Sequence, residues 1–145
     1  MRTSDVRDLA AALDRLTMWL RRQAPSPVSA STIAALDRLR TDGPLRVSDL
    51  ARVESMTQPG VTMLVNRLAE AGYAERVPDP TDRRAVLVRI TPAGEGVLAD
   101  RQATRAEVLR HCLAGLDADD QRLLADARPA IERLIATEAP APSRK

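Results

Sequence analysis

Along most of this chain apolar residues recur at intervals of three and four, the period of a helix buried on one face. From Asp5 to Ala24 the stripe is Val6, Leu9, Leu13, Leu16 and Leu20, with Ser4 the expected N-cap and "PSP" at Pro25–Pro27 the stop. A second helix begins at Ser29 or Ser31, turns Ile33, Leu36 and Leu39 inward, and ends at "TDGP", where Gly43 suits a left-handed cap. "LRV", Leu45–Val47, reads as extended. Ser48 then caps a short helix over 48–54, "SMT" makes a turn, and Thr57 caps a longer helix over 57–71. Pro59 falls in that helix's first turn, where a missing N–H costs nothing. Val61, Leu64, Val65 and Leu68 form its inner face, and Gly72 closes it.

The period then changes. "YAERV", Tyr73–Val77, and "RAVLVRI", Arg84–Ile90, are β-prone runs around "PDPTDR", which predicts a hairpin with a loop rich in Pro and Asp. A short helix, a tight turn and a second amphipathic helix, with a hairpin directly behind, form a winged helix-turn-helix pattern over 29–91, its wing at 73–91. Thr91 and Pro92 open a long helix to about Ala114 that carries Val97, Leu98, Val108, Leu109, Cys112 and Leu113, and Gly115 ends it. Asp117 caps a last helix with Leu123, Leu124, Ala127, Ile131, Leu134 and Ile135, in which Pro129 predicts a kink or a restart. "APAPSRK", 139–145, reads as a disordered tail. The expected class is mainly α with a small β-hairpin (α+β), a single domain over 1–145.

Composition narrows the function. The chain is 44% apolar with no Phe, one Trp and one Tyr, so aliphatic side chains must fill the core. No apolar run nears the roughly 20 residues of a bilayer span, and the charged N-terminus does not read as a signal peptide. With the single cysteine, Cys112, this predicts a reducing, cytoplasmic setting and no membrane partner. His111 and Cys112 are neighbours on one helix and cannot face each other, and no glycine loop suited to phosphate is present. Neither an enzyme, a metal site nor a cofactor is expected. Net charge is +2, divided as +3 over 1–40, zero over 41–91 and −1 over 92–145. No segment is basic enough to hold nucleic acid by bulk attraction, so any contact must be local. Of 22 basic residues 21 are Arg, whose planar fork suits such local contacts.

The stretch Gly43–Gly94 resembles the winged helix-turn-helix core of the MarR (multiple antibiotic resistance regulator) family. The likeness is carried by the D-x-R of Asp82–Arg84, the apolar strand and "TPAG" behind it, and the "VT-x-LV-x-RL-x-x-x-G-Y" frame from Val61 to Tyr73. It implies a bacterial transcription regulator, a repressor acting as a homodimer on a palindromic double-stranded operator and released by a small lipophilic or phenolic effector. Residues 1–24 and 92–138 would then be dimerisation helices, in keeping with terminal apolar stripes too extensive for one monomer to cover. Two departures stand out. Met63 occupies a position where the family often has Arg or another polar residue, and no cysteine near the N-terminus matches the family's oxidation sensors.

In this frame the N-terminal half of the helix over 57–71 enters the major groove. Thr57, Gln58, Pro59 and Gly60 sit at the positive end of its dipole, and Gln58 offers the donor and acceptor that adenine pairs with. Thr62, Met63, Asn66 and Arg67 complete the outward face. Arg46 and Ser48 would touch the DNA backbone, Arg83 a phosphate and Arg84 the minor groove, with Asp82 holding the Arg84 guanidinium. The plainer alternatives are a solvated helix face and a charged hairpin tip, or a winged helix that contacts only protein. Cys112 is expected to be a buried structural thiol. Met18, Trp19 and His111 are the candidate effector pocket, against core packing for Trp19 and a surface place for His111.

Overall fold

Side-chain caps start four helices where the sequence predicts them. In the computed structural model, which describes residues 1–137, Ser29 Oγ accepts from Thr32 N–H and Thr57 Oγ1 from Gly60 N–H, both at 3.2 Å. Thr91 Oγ1 accepts from Gly94 N–H at 3.2 Å and Asp117 Oδ1 from Asp120 N–H at 2.8 Å. The order is α1 (Thr3–Gln23), α2 (Ala30–Asp42), β1 (Leu45–Arg46), α3 (Val47–Val53), α4 (Gln58–Glu70), β2 (Ala74–Pro78), β3 (Val86–Ile90), α5 (Pro92–Leu113) and α6 (Ala118–Ala136). The tail expected over 139–145, and residue 138 before it, lie outside the described residues. Residues up to Ala106 form one compact unit and those from Glu107 onward a second.

Two caps differ from expectation. Ser4 lies inside the first turn of α1, and the carboxylate of Asp5 reaches back to accept the Arg2 N–H at 3.2 Å. Ser48 likewise lies inside α3, whose N-cap position is Arg46. β1 is only two residues long, pairing Leu45 with Val88 and Arg46 with Leu87, so the chain is free to turn into a helix at Val47. That short strand makes the expected hairpin a three-stranded antiparallel sheet of order β1-β3-β2.

The core of the first unit joins the inner faces of α2, α3 and α4 to the sheet. Leu36, Leu39, Leu50, Leu64 and Leu68 are fully buried, with Val61, Val65 and Val88. Truncating one such leucine to Ala costs about 2–5 kcal/mol, a large part of a domain's roughly 5–15 kcal/mol, so this cluster holds α4 and the wing in register. Gly72, at φ 73°, takes the left-handed turn that frees the chain to leave α4 for β2. Ser55, at φ 52°, is the one described non-glycine residue with positive φ and marks the turn between α3 and α4.

The ends of the chain look different. Neither α1 nor α6 contains a buried residue among those described. Val6, Leu9, Leu13 and Leu16 of the α1 stripe are exposed and Leu20 is half-buried, while Leu123, Leu124, Ile131, Leu134 and Ile135 on α6 are exposed. α6 continues unbroken through Pro129 instead of restarting, because only the bond to the carbonyl of the exposed Ala125 is lost and water can replace it. Cys112 is exposed, contrary to its expected burial. Arg101 and Arg105 interrupt the apolar stripe of α5 ahead of it, and only Gly94 and Leu98 on that helix are buried. No described helix is long and apolar enough to cross a membrane.

Candidate nucleic-acid interface

Burial of Val61, Leu64, Val65 and Leu68 forces the opposite side of α4 outward. Thr57, Gln58, Pro59, Thr62, Met63, Asn66 and Arg67 are all exposed there, and Gly60 is half-buried. Two hydroxyls in the row have defined roles. Thr57 caps the helix, and Thr62 Oγ1 donates to the Gln58 carbonyl at 2.8 Å, so Thr62 presents its remaining lone pairs outward. Asn66 is not free: its Oδ1 accepts from Arg76 Nη2 on β2 at 2.6 Å. Met63 is 65% exposed, an apolar side chain amid polar ones and suited to a thymine methyl.

The wing is organised by Asp79, the only buried charged residue among those described. Arg46 donates to its Oδ2 through Nε at 3.2 Å and Nη2 at 2.7 Å. Thr81 donates to Oδ1 through its N–H at 2.9 Å and its hydroxyl at 2.7 Å. The Thr81 hydroxyl and the Arg46 guanidinium hold this carboxyl well below the usual aspartate range, and the Arg46 pKa is raised in return. Asp82 Oδ1 accepts the backbone N–H of Arg84 at 3.1 Å. That corrects the expected contact with the Arg84 guanidinium. The fork of Arg46, expected at the DNA backbone, is engaged by Asp79, and the side chains of Arg83 and Arg84 stand exposed with no ion-pair partner among the described residues. Ser48 is exposed in the first turn of α3.

The expected effector residues fall in both units of the chain. Met18 and Trp19 line a shallow concavity with Arg15, Leu16 and Arg22, all on α1, while His111 is an exposed residue of the second unit. Trp19 is half-buried and outside the hydrophobic core. Two better-walled cavities share Ala24, Pro25, Val28 and Arg101. One, of about 320 Å³, adds Tyr73 and Val97; the other, of about 240 Å³, adds Arg21, Ile33 and Arg105. Burial and then the nearby Arg105 charge lower the Arg101 pKa, and Nε of Arg105 is buried without a hydrogen-bond partner.

Arg76, Asp79, Arg101 and Arg105 do not stand out in the sequence as site residues. For Asp79 a local signal was available, since Asp-Pro-Thr is the composition of a turn in which a carboxylate accepts from the residue two ahead. Arg76 carried none, because its partner Asn66 lies on another element, and Arg101 and Arg105 carried none, because only the fold brings them to a cavity with residues of α1 and α2.

Comparison with known proteins agrees with this geometry. A model of the MarR family matches residues 28–86. An HTH-type transcriptional regulator of Mycobacterium leprae is 35% identical over 139 residues, covering 93% of this chain and 97% of its own. The multiple antibiotic resistance protein MarR of Salmonella typhimurium is 32% identical over 74 residues, 51% of each chain. Among solved structures, a putative transcriptional regulator from Pseudomonas aeruginosa superposes with a TM-score of 0.78 at 29% identity, covering 95% of this chain and all of that one.

Proposed function

This chain belongs to the MarR family of non-enzymatic, DNA-binding transcriptional regulators, and on that premise we propose that it is a homodimeric repressor of a palindromic operator. The observation that carries the reading is the pairing of an exposed, polar α4 face with two unpaired wing-tip arginines, Arg83 and Arg84, in one unit. The first supplies base-edge donors and acceptors to a major groove; the second supplies cations to phosphate and to the adjacent minor groove. A two-fold dimer repeats both at about one helical turn, which is what a palindrome requires. The uncovered apolar faces of α1 and α6 supply the driving force, since each leucine or isoleucine fully buried contributes about 1.5–3 kcal/mol.

Sequencing duplexes that the purified protein enriches from genomic DNA tests the reading, together with sedimentation equilibrium at micromolar protein. Enrichment of an inverted repeat by a dimer is expected. A 15.8 kDa species alone, or no enrichment of any sequence, would sink it.

Release by a small lipophilic acid is part of the same proposal. The apolar walls around Val97 and Tyr73 suit a ring, and the guanidinium groups of Arg101 and Arg105 that line the adjoining cavity suit a carboxylate. Arg105→Ala is then expected to bind the operator as wild type does but to stop responding to aromatic acids. An undiminished response would place the effector elsewhere.

A further inference from the structure

A buried carboxylate and a second acid, Asp79 and Asp82, stand at the base of the element proposed to meet a polyanion. Coulomb repulsion makes both unfavourable for DNA binding, so what they do must be structural and must outweigh that repulsion. The geometry points to Arg46 as a positioning residue for the wing: through Asp79 it clamps the base of the β2–β3 loop to β1, at the mouth of the helix-turn-helix, and so presents Arg83 and Arg84. This inference rests on the DNA-binding reading above and replaces the expectation that Arg46 touches DNA backbone.

Arg46 and Asp79 are 33 residues apart in sequence. Arg46 opens α3 at the N-cap position and pairs with Leu87 of β3; Asp79 directly follows Pro78, the last residue of β2, which pairs with Val86. The contact therefore crosses all three strands where the wing leaves the sheet. Its chemistry is saturated. Two donors of Arg46 share one carboxylate oxygen and two donors of Thr81 share the other, so Asp79 has no acceptor directed at anything else. From there the hold passes up the loop. Asp79 N–H donates to the Ala85 carbonyl at 3.1 Å, and Ala85 N–H donates to the Asp82 carbonyl at 2.9 Å. Asp82 Oδ1 fixes Arg84 N–H, and its Oδ2 lies 3.8 Å from Arg46 Nη2. The contacts made by the loop's acids are to Arg46, Thr81 and the Arg84 backbone, and the two tip guanidinium groups are left over for an external anion.

The test compares Arg46→Ala, Asp79→Asn and the double variant with wild type, using a duplex that the wild-type protein enriches from a random-sequence pool. If Arg46 positions the wing, Asp79→Asn binds about tenfold more weakly although it removes a negative charge, because the wing contacts are misplaced. Both single variants lose hydroxyl-radical protection in the minor groove while guanine N7 protection under α4 persists. In the free protein, amide exchange at Asp79 and Ala85 accelerates in Arg46→Ala. The double variant, which leaves no unpaired buried charge, folds at least as well as Arg46→Ala and binds no worse than either single variant. Tighter binding by Asp79→Asn overturns the inference. So does an Arg46→Ala protein whose salt slope falls by about 0.9 with wing protection and amide exchange unchanged, the signature of a lone phosphate contact. Failure of wild type to enrich any duplex would count against the DNA-binding reading, while the exchange measurement would still decide whether the clamp holds the wing.

Discussion

The amide oxygen of Asn66 on α4 accepts a 2.6 Å hydrogen bond from Nη2 of Arg76 on β2. Arginine has donors only, so the contact fixes which end of the amide points where: oxygen toward the strand, NH2 away from it. In the proposed complex Asn66 would present a donor to the major groove, and donors select guanine N7 and O6, thymine O4 or adenine N7 over the amino group of cytosine.

Arg76→Ala should release that amide to rotate. The expected result is a flattened base preference at one position of each half-site, where a bidentate contact gives about 1–3 kcal/mol of discrimination. Affinities for a panel of singly substituted operators, measured with both proteins, check this. An identical preference profile would mean that Arg76 merely ties the strand to the helix.

Gly94→Ala should destabilise the fold by about 1–3 kcal/mol, since the new methyl would have to displace backbone. Its Cβ would lie 2.2 Å from the Tyr73 carbonyl oxygen and 2.8 Å from Ile90 Cγ1. The same carbonyl accepts Thr91 N–H at 3.0 Å, so the strain falls where the wing meets α5. Gly96→Ala is the control, with nothing within 4 Å and a helix interior that favours Ala by roughly 0.5–1 kcal/mol. Urea midpoints should move in opposite directions for the two variants.

What could be read in the sequence was local. The caps at Ser29, Thr57, Thr91 and Asp117, the inner face of α4 and both wing strands all depend on residues a few positions apart, where spacing encodes geometry. What could not be read was pairing at a distance. Arg46 with Asp79, Arg76 with Asn66, and the α5 pair Arg101 and Arg105 with Arg21 at one cavity depend on how the sheet and α5 close over the helices. Cys112 failed for a related reason: its apolar spacing was right, but two arginines upstream break the stripe it belongs to. For the charged groups the fold frame was legible, and the partner was not.

Acid should weaken the clamp in a defined window. Asp79 has a folded pKa depressed below the ordinary aspartate value of about 3.9, so its contribution is complete above that value and is lost as pH falls through the folded pKa. Asp79→Asn lacks this dependence. Wild type should therefore be more stable than Asp79→Asn near neutrality, and the gap should narrow steadily below about pH 4. Asp5 and Glu107, also depressed by their partners Arg2 and Arg110, contribute equally to both proteins and cancel in the difference. Urea titrations of the pair across that range check the sign; a constant gap would show that the charge of Asp79 is immaterial.

The wing tip gives the sharpest contrast, because charge and hydrogen bonding predict opposite outcomes there. Arg84→Ala removes a cation that no described residue pairs with, and operator affinity should fall by about 1–3 kcal/mol with a shallower salt slope. Asp82→Ala removes a negative charge, yet it also removes the acceptor that fixes Arg84 N–H at 3.1 Å. If the turn is what matters, Asp82→Ala binds more weakly than wild type. Asp82→Asn separates the two effects, because an asparagine oxygen keeps the same turn without the charge. It should bind at least as tightly as wild type, with Asp82→Ala the weakest of the three. None of these exposed substitutions should shift the melting temperature appreciably, as a surface ion pair contributes only about 0–1 kcal/mol. Operator affinities over a range of salt concentrations for all four proteins decide it. If Asp82→Ala and Asp82→Asn both tighten binding alike, the acid is a mere electrostatic liability and the turn at "TDRR" does not position Arg84.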